Sequence, residues 1–86
     1  MPKTFREKVL AIVAQIPKGS VMTYAQVAAK AGSSRASRVV GNLMKANYDP
    51  KIPCHRVIRS DGTIGDYNRG GSQEKTAILR REGVAL

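Results

Sequence analysis

A single cysteine, Cys54, in a chain of 86 residues limits how this protein can hold itself together. One thiol makes no intramolecular disulfide. A structural zinc site takes about four Cys, His or carboxylate ligands. The one histidine, His55, cannot supply the rest. A small domain without such a staple must close on apolar packing alone. Hydrophobic residues make up 42 % of the chain, which excludes global disorder. Aromatics reach only 5 %, with no Trp, so the core must come from Val, Ile, Leu and Ala. That palette suits helices packed on helices.

The apolar residues recur at helical spacing. Phe5, Val9, Ile12, Val13 and Ile16 form one stripe, predicting a helix over 4–16. Thr4 and Glu7 have the spacing of a capping box, and Pro17, Gly19 and Ser20 stop the helix. Thr23 and Gln26 repeat that spacing ahead of an Ala-rich second helix over 24–31, which Gly32 ends. A third helix is predicted over 35–46. Its core side is Ala36, Val39, Val40, Leu43 and Met44, and its other face carries Arg35, Arg38, Asn42 and Lys45. Two short helices around a glycine turn, the second one basic, match a helix-turn-helix. A helical hairpin with a solvated basic face is the plainer alternative. Beyond an irregular loop over 47–53, Val57-Ile58 and Thr63-Ile64 flank Asp61-Gly62, which predicts a small hairpin. A glycine-rich loop holds Tyr67, and a last helix runs over 72–82 with Gly83 after it. The expected fold is mainly α (α+β): a winged-helix-like helix-turn-helix domain with a small β-hairpin, one domain over 1–86.

Charge points to the partner. Lys and Arg total 15 against 6 Asp and Glu, a formal net charge of +9. Over 35–59, Arg35, Arg38, Lys45, Lys51, Arg56 and Arg59 face one acidic residue, Asp49. Such an excess implies an anionic partner, nucleic acid first and a membrane surface second. The first apolar stretch is broken by Glu7, Lys8 and Gln15, unlike a signal peptide. No run approaches the roughly 18 apolar residues of a membrane span. A lone cysteine fits a reducing compartment.

Cys54 follows Pro53 and precedes His55 and Arg56. The thiolate is the nucleophile, so reactivity needs a base or a positive neighbourhood. His55 and Arg56 could provide either. On an extended backbone adjacent side chains point apart. In a helical turn a water could bridge them. The plainer alternative is a buried small apolar Cys54 beside a satisfied His55.

The string Pro53-Cys54-His55-Arg56-Val57 resembles the active-site motif of the O6-alkylguanine-DNA alkyltransferases. Pro17-Lys18-Gly19, Val21, Thr23-Tyr24 and Val27-Ala28 resemble the family's approach to its helix-turn-helix. Ser37 to Gly41, with Met44 and Asn47, resembles its recognition helix and hinge. Gly65, Tyr67 and Gly70 resemble its substrate loop, and Leu79, Glu82 and Gly83 its last helix.

The resemblance implies single-turnover DNA repair. Duplex DNA binds through the minor groove, O6-alkylguanine is flipped, and the alkyl group passes permanently to Cys54, with no metal or organic cofactor. It implies His55 as base through a water, Glu82 as its orienter, and Asn47 as a brace. It implies that Tyr24 donates to guanine N3, and that the backbone at Cys54 and Val57 reads the exocyclic amine. Tyr67 and Asn68 would close over the base, and Arg38 would fill the gap in the stack. Arg35, Asn42, Lys45 and Arg56 would hold DNA, as would Lys51 and Arg59. Arg38 as a phosphate contact, Tyr24 as a core aromatic and Glu82 as a surface residue remain the plainer readings. A monomer in the cytoplasm of a prokaryote or in a nucleus is expected, with nucleotide excision repair proteins as further partners.

Three features depart from the family pattern. The separate N-terminal domain of many members has no counterpart here. The substrate loop Tyr67-Asn68-Arg69-Gly70-Gly71 is about one residue longer than usual, and Asp66 adds a carboxylate before it. In size the chain resembles the alkyltransferase-like proteins, which bind the lesion without repairing it. Those usually carry Trp or Ala where this chain has Cys54. A lesion sensor is therefore the rival to the enzyme, and a plain helix-turn-helix regulator is a third reading.

Overall fold

A computed structural model describes residues 3–65, 67 and 70–85. Thr4 starts the first helix, α1 (Phe5–Ala14). Its Oγ1 accepts from the Glu7 amide at 3.2 Å, and Glu7 Oε1 accepts from the Thr4 amide at 3.3 Å. These bonds satisfy donors that a helix start leaves open. Val9, Val13 and Ile16 point from α1 and its end into the core. The same device starts α2 (Tyr24–Lys30). There Thr23 Oγ1 accepts from the Gln26 amide at 3.0 Å, and Gln26 Oε1 accepts from the Thr23 amide at 2.9 Å.

Gly32 closes α2 with φ at +103°, a conformation that side-chain-bearing residues rarely take. Its amide donates to Ala29, and the Ser33 amide to Ala28. The chain then turns into α3 (Ser37–Lys45), which packs across α2. Val27, Ala28 and Ala31 of the first helix meet Val40 and Met44 of the second in one core. This is the expected helix-turn-helix pair.

Val39 departs from expectation: it is 47 % exposed. One residue is about 100° of helix. The stripe centred on Val40 and Met44 therefore leaves Val39 at its edge, beside the basic face.

The hairpin is also corrected. Val57–Ile58 is a strand, β2, but it pairs in parallel with β1 (Met22–Thr23), in the register Met22 to Val57 and Thr23 to Ile58. Both β2 residues are buried, and an interior strand of this kind pairs where both faces are covered. The Asp61-Gly62 turn does form. The Asp61 carboxylate accepts from the Thr63 amide and hydroxyl at 3.0 and 2.7 Å, and the Arg59 amide donates to Thr63. Thr63 to Gly65 carry no strand.

The last helix, α4 (Gly71–Arg81), buries Leu79 and Lys75. Its end is closed by amides of Gly83 to Arg80 and Val84 to Leu79. Among the described residues no helix is long and apolar enough to cross a membrane.

Thr23 therefore pairs as a strand residue, caps α2 and precedes Tyr24. Thr23→Ala should destabilise the protein by about 1 kcal/mol, lowering Tm by about 4–8 °C in thermal unfolding.

Candidate active site and nucleic-acid interface

The loop after α3 delivers Cys54. Asn47 holds it from inside: Oδ1 accepts from the Asp49 amide and Nδ2 donates to the Ile52 carbonyl, both at 3.3 Å. Asp49 in turn accepts from the Lys51 amide at 2.9 Å. The Cys54 amide donates to Ile52 at 2.8 Å. Asn47 thus braces the turn between α3 and the cysteine.

Cys54–Arg56 forms a single 3₁₀ turn, not an extended segment. The turn separates three neighbours. Cys54 points into the core and is 5 % exposed, yet it also lines an open cleft of about 770 Å³. His55 packs edge-on to the Tyr67 ring, with centroids 6.4 Å apart. Arg56 turns the other way.

Glu82, the C-terminal cap of α4, gathers the second and third of these. His55 Nε2 lies 3.1 Å from Glu82 Oε2. Arg56 grips the same carboxylate in two-pronged fashion, Nε to Oε1 at 2.9 Å and Nη2 to Oε2 at 2.8 Å, and its Nη1 donates to the Ile16 carbonyl at 2.8 Å. Paired guanidinium-carboxylate bonds are among the stronger hydrogen bonds in proteins. The Arg56 bonds, more than the His55 contact, hold the Glu82 carboxyl down from its ordinary 4.5 to about 2, against an opposing push from burial. Arg56 keeps its proton more firmly in return.

Arg56, expected to hold DNA, makes its hydrogen bonds within the protein here. Its side chain is 16 % exposed and its guanidinium is bound within the protein.

Gly19 makes room for Glu82. A Cβ there would stand 3.1 Å from the Glu82 carbonyl oxygen, and its φ is +89°. The Pro17-Lys18-Gly19 segment thus passes directly under the end of α4.

The cleft collects residues from across the sequence. Tyr24 from α2, Arg38, Asn42 and Lys45 from α3, Cys54, and Tyr67 all line it. Its wall also includes Ser37, Gly41, Met44, Arg59, Ser60 and Gly71. Arg35 is exposed just before α3, outside the cleft lining. Val57 is fully buried behind the cysteine. Asn68 and Asp66 lie outside the described residues.

Sequence reasoning missed Lys75. It is 1 % exposed, and its Nζ lies 3.5 Å from the Tyr24 hydroxyl. The signal was present: Lys75 stands one helical turn before the buried Leu79, on the same stripe.

Among the described residues no group of three or more His, Cys, Asp or Glu could hold a metal ion. What the site offers is a thiol at the base of a basic cleft, with a carboxylate-held imidazole beside it. That is the order of parts in a nucleophile-base-orienter relay.

The chain matches the family model described as "6-O-methylguanine DNA methyltransferase, DNA binding domain" over residues 4–84. It is 48 % identical over 82 residues to the methylated-DNA--protein-cysteine methyltransferase of Methanothermobacter thermautotrophicus, covering 95 % of this chain and 46 % of that protein. Its fold is similar to that of S. pombe Atl1 in complex with damaged DNA containing O6-carboxymethylguanine. The TM-score is 0.83 at 37 % identity, over 94 % of this chain and 77 % of that one. It is also similar to Mycobacterium tuberculosis OGT in complex with DNA, with a TM-score of 0.85 at 32 % identity, over 95 % of this chain and 50 % of that one. The chain spans less than half the length of the curated methyltransferases it matches.

The lowered Glu82 pKa carries a stability test. The carboxyl is ionised in the fold down to about pH 2 but only to about 4.5 when released. Its stabilising effect is therefore complete above pH 4.5 and is lost as pH falls toward 2. Glu82→Gln should unfold at lower urea than the parent at pH 6, and the gap should narrow at pH 3. An unchanged gap would show that the carboxylate does not hold this junction.

Proposed function

This chain belongs to the family of the 6-O-methylguanine DNA methyltransferases, through their DNA-binding domain, and on that premise we propose that it repairs alkylated DNA with Cys54 as the acceptor. The observation that carries the proposal is the position of the thiol. Cys54 reaches the floor of a cleft whose walls are cationic, and the neighbouring imidazole is held by an ionised carboxylate.

The DNA duplex is drawn by charge. Arg38, Asn42 and Lys45 are exposed on α3 and Arg35 just before it, and cations there meet phosphates without reading sequence. The damaged nucleotide rotates into the cleft, which costs a few kcal/mol of stacking. Arg38, on the cleft wall, fills the space left behind. Tyr24 and Tyr67 bracket the base, and backbone at Cys54 and Val57 reads its amine.

The chemistry is one displacement. With Nε2 of His55 donating to Glu82, the other ring nitrogen takes the Cys54 proton, through a water. The sulfur then attacks the alkyl carbon. The S–C bond forms, the C–O6 bond breaks, and its electron pair enters the purine as a guanine anion, which regains a proton. The thioether is stable, so each molecule reacts once. The reading needs DNA, and therefore the cytoplasm of a prokaryote or a nucleus, and the protein acts as a monomer.

A second reading is favoured by one observation. Cys54 is 5 % exposed, as an inert structural cysteine would be. The protein would then bind the lesion without accepting the group.

Intact-protein mass separates the two. After incubation with a duplex holding O6-methylguanine, the parent should gain one methyl group and Cys54→Ser none. Tight lesion-selective binding in both, with no mass gain in either, would establish the sensor instead.

A further inference from the structure

Among the described residues the cleft is lined by three cations, Arg38, Lys45 and Arg59, and by no carboxylate. Arg38 and Lys45 stand on α3, whose charge draws the duplex. Arg59 comes from another element, the turn that follows β2, and the mechanism above gives it no task.

The backbone of Arg59 is fixed. Its amide donates to the Thr63 carbonyl and its carbonyl accepts from the Gly62 amide, both at 3.0 Å. The Asp61 carboxylate locks the same turn through Thr63. The Arg59 side chain is exposed, and its arm lies along the loop at Gly65. A Cβ at Gly65 would stand 3.3 Å from Arg59 Nε, 3.4 Å from its Cγ and 3.7 Å from the Tyr24 hydroxyl oxygen. The arm therefore runs beside Tyr24, on the cleft. Among the described residues no hydrogen bond or ion pair ends on its guanidinium. Asp61 accepts from Thr63 instead. Those bonds hold its carboxyl below the usual range, and the Arg59 charge adds less. Arg56, by contrast, is bound on Glu82 and Ile16. A planar fork of N–H donors, uncommitted and held at a cleft wall, fits an oxyanion that two donors grip at once. A phosphodiester is such a group.

We infer that Arg59 grips a phosphate next to the rotated nucleotide, and so tightens binding only when a nucleotide has entered the cleft. The inference rests on lesion binding, which the enzyme and the sensor readings above share. Arg35 is exposed outside the cleft lining and meets the phosphates of any duplex. The phosphate that Arg59 takes comes within reach as the nucleotide turns out of the stack. Its effect therefore falls on the difference between damaged and undamaged DNA, not on their common affinity.

Binding is measured with Cys54→Ser, which has no thiol to alkylate. A duplex holding O6-methylguanine and the matching undamaged duplex are compared for that protein and for the same protein carrying Arg59→Gln or Arg35→Gln. Arg59→Gln should weaken binding of the damaged duplex about tenfold and of the undamaged one less than about threefold. Its salt slope on the damaged duplex should be shallower by about one. Arg35→Gln should weaken both duplexes by the same factor. Equal weakening of the two duplexes by Arg59→Gln, or none of either, would overturn the inference.

A neutral methylphosphonate in place of one phosphate, on the 5′ or the 3′ side of the lesion, identifies the partner. At one of these positions its cost and that of Arg59→Gln should not add. Additive costs at both would overturn the inference. With Arg59 intact, the methylphosphonate at that position should cost more in the damaged duplex than in the undamaged one. Equal costs at both positions would overturn the inference even if Arg59→Gln failed to fold. A Cys54→Ser protein that binds the two duplexes alike would refute lesion recognition itself. A lesion preference that Arg59→Gln leaves intact would refute only the role of Arg59.

Discussion

The Glu82 carboxylate is the junction on which the rest of this molecule depends. It ends α4, fixes the imidazole of His55 and receives both prongs of Arg56. Through Arg56 it also reaches the carbonyl of Ile16 at the close of α1. Three distant parts of the chain are thus tied together through Arg56 and the Glu82 carboxylate. Removing one partner would leave the other charges part-buried without compensation, which is the costly direction for any buried ion pair. The fold and the candidate relay share this junction, so neither can vary without the other.

A second constraint is the division of positive charge. The cations of α3 are exposed and face outward, while Arg56 and Lys75 are turned in. The outward set attracts a polyanion over a distance of about a Debye length. The inward pair is bound at contact range, Arg56 to both Glu82 oxygens and the Ile16 carbonyl, Lys75 within 3.5 Å of the Tyr24 hydroxyl. Composition reports only their sum. Two different placements, outward and inward, are written in the same residue types.

That difference explains how much could be read from sequence. The helices were legible because short-range rules dictate them. Capping boxes at Thr4 and Thr23 and the stop at Gly32 depend on residues within a few positions of one another. The Pro53-Cys54-His55-Arg56-Val57 string marked the candidate site. What escaped were pairings set by tertiary contacts. The Asp61-Gly62 turn was visible, but that Val57 and Ile58 would choose Met22 and Thr23 as partners was not. The grip of Arg56 on Glu82 was not legible, because the two residues lie 26 positions apart. Lys75 was missed because a lysine is almost always at the surface. Val39 failed for a smaller reason, standing one position off the stripe of Val40 and Met44.

The reach of the Arg56 side chain also orders events in time. The Arg56 bond to Ile16 joins residues 40 apart in the chain, whereas each capping box joins residues 3 apart. Closures over long separations come late in folding, because the chain entropy they consume is returned only when many contacts form together. The helices can therefore be in place while the carboxylate is still unclaimed and the imidazole still unoriented. A nascent or partly unfolded chain carries a thiol with no relay behind it. On the proposed repair reading, reactivity is then a property of the finished molecule, and the nucleophile is not armed while the protein is being made.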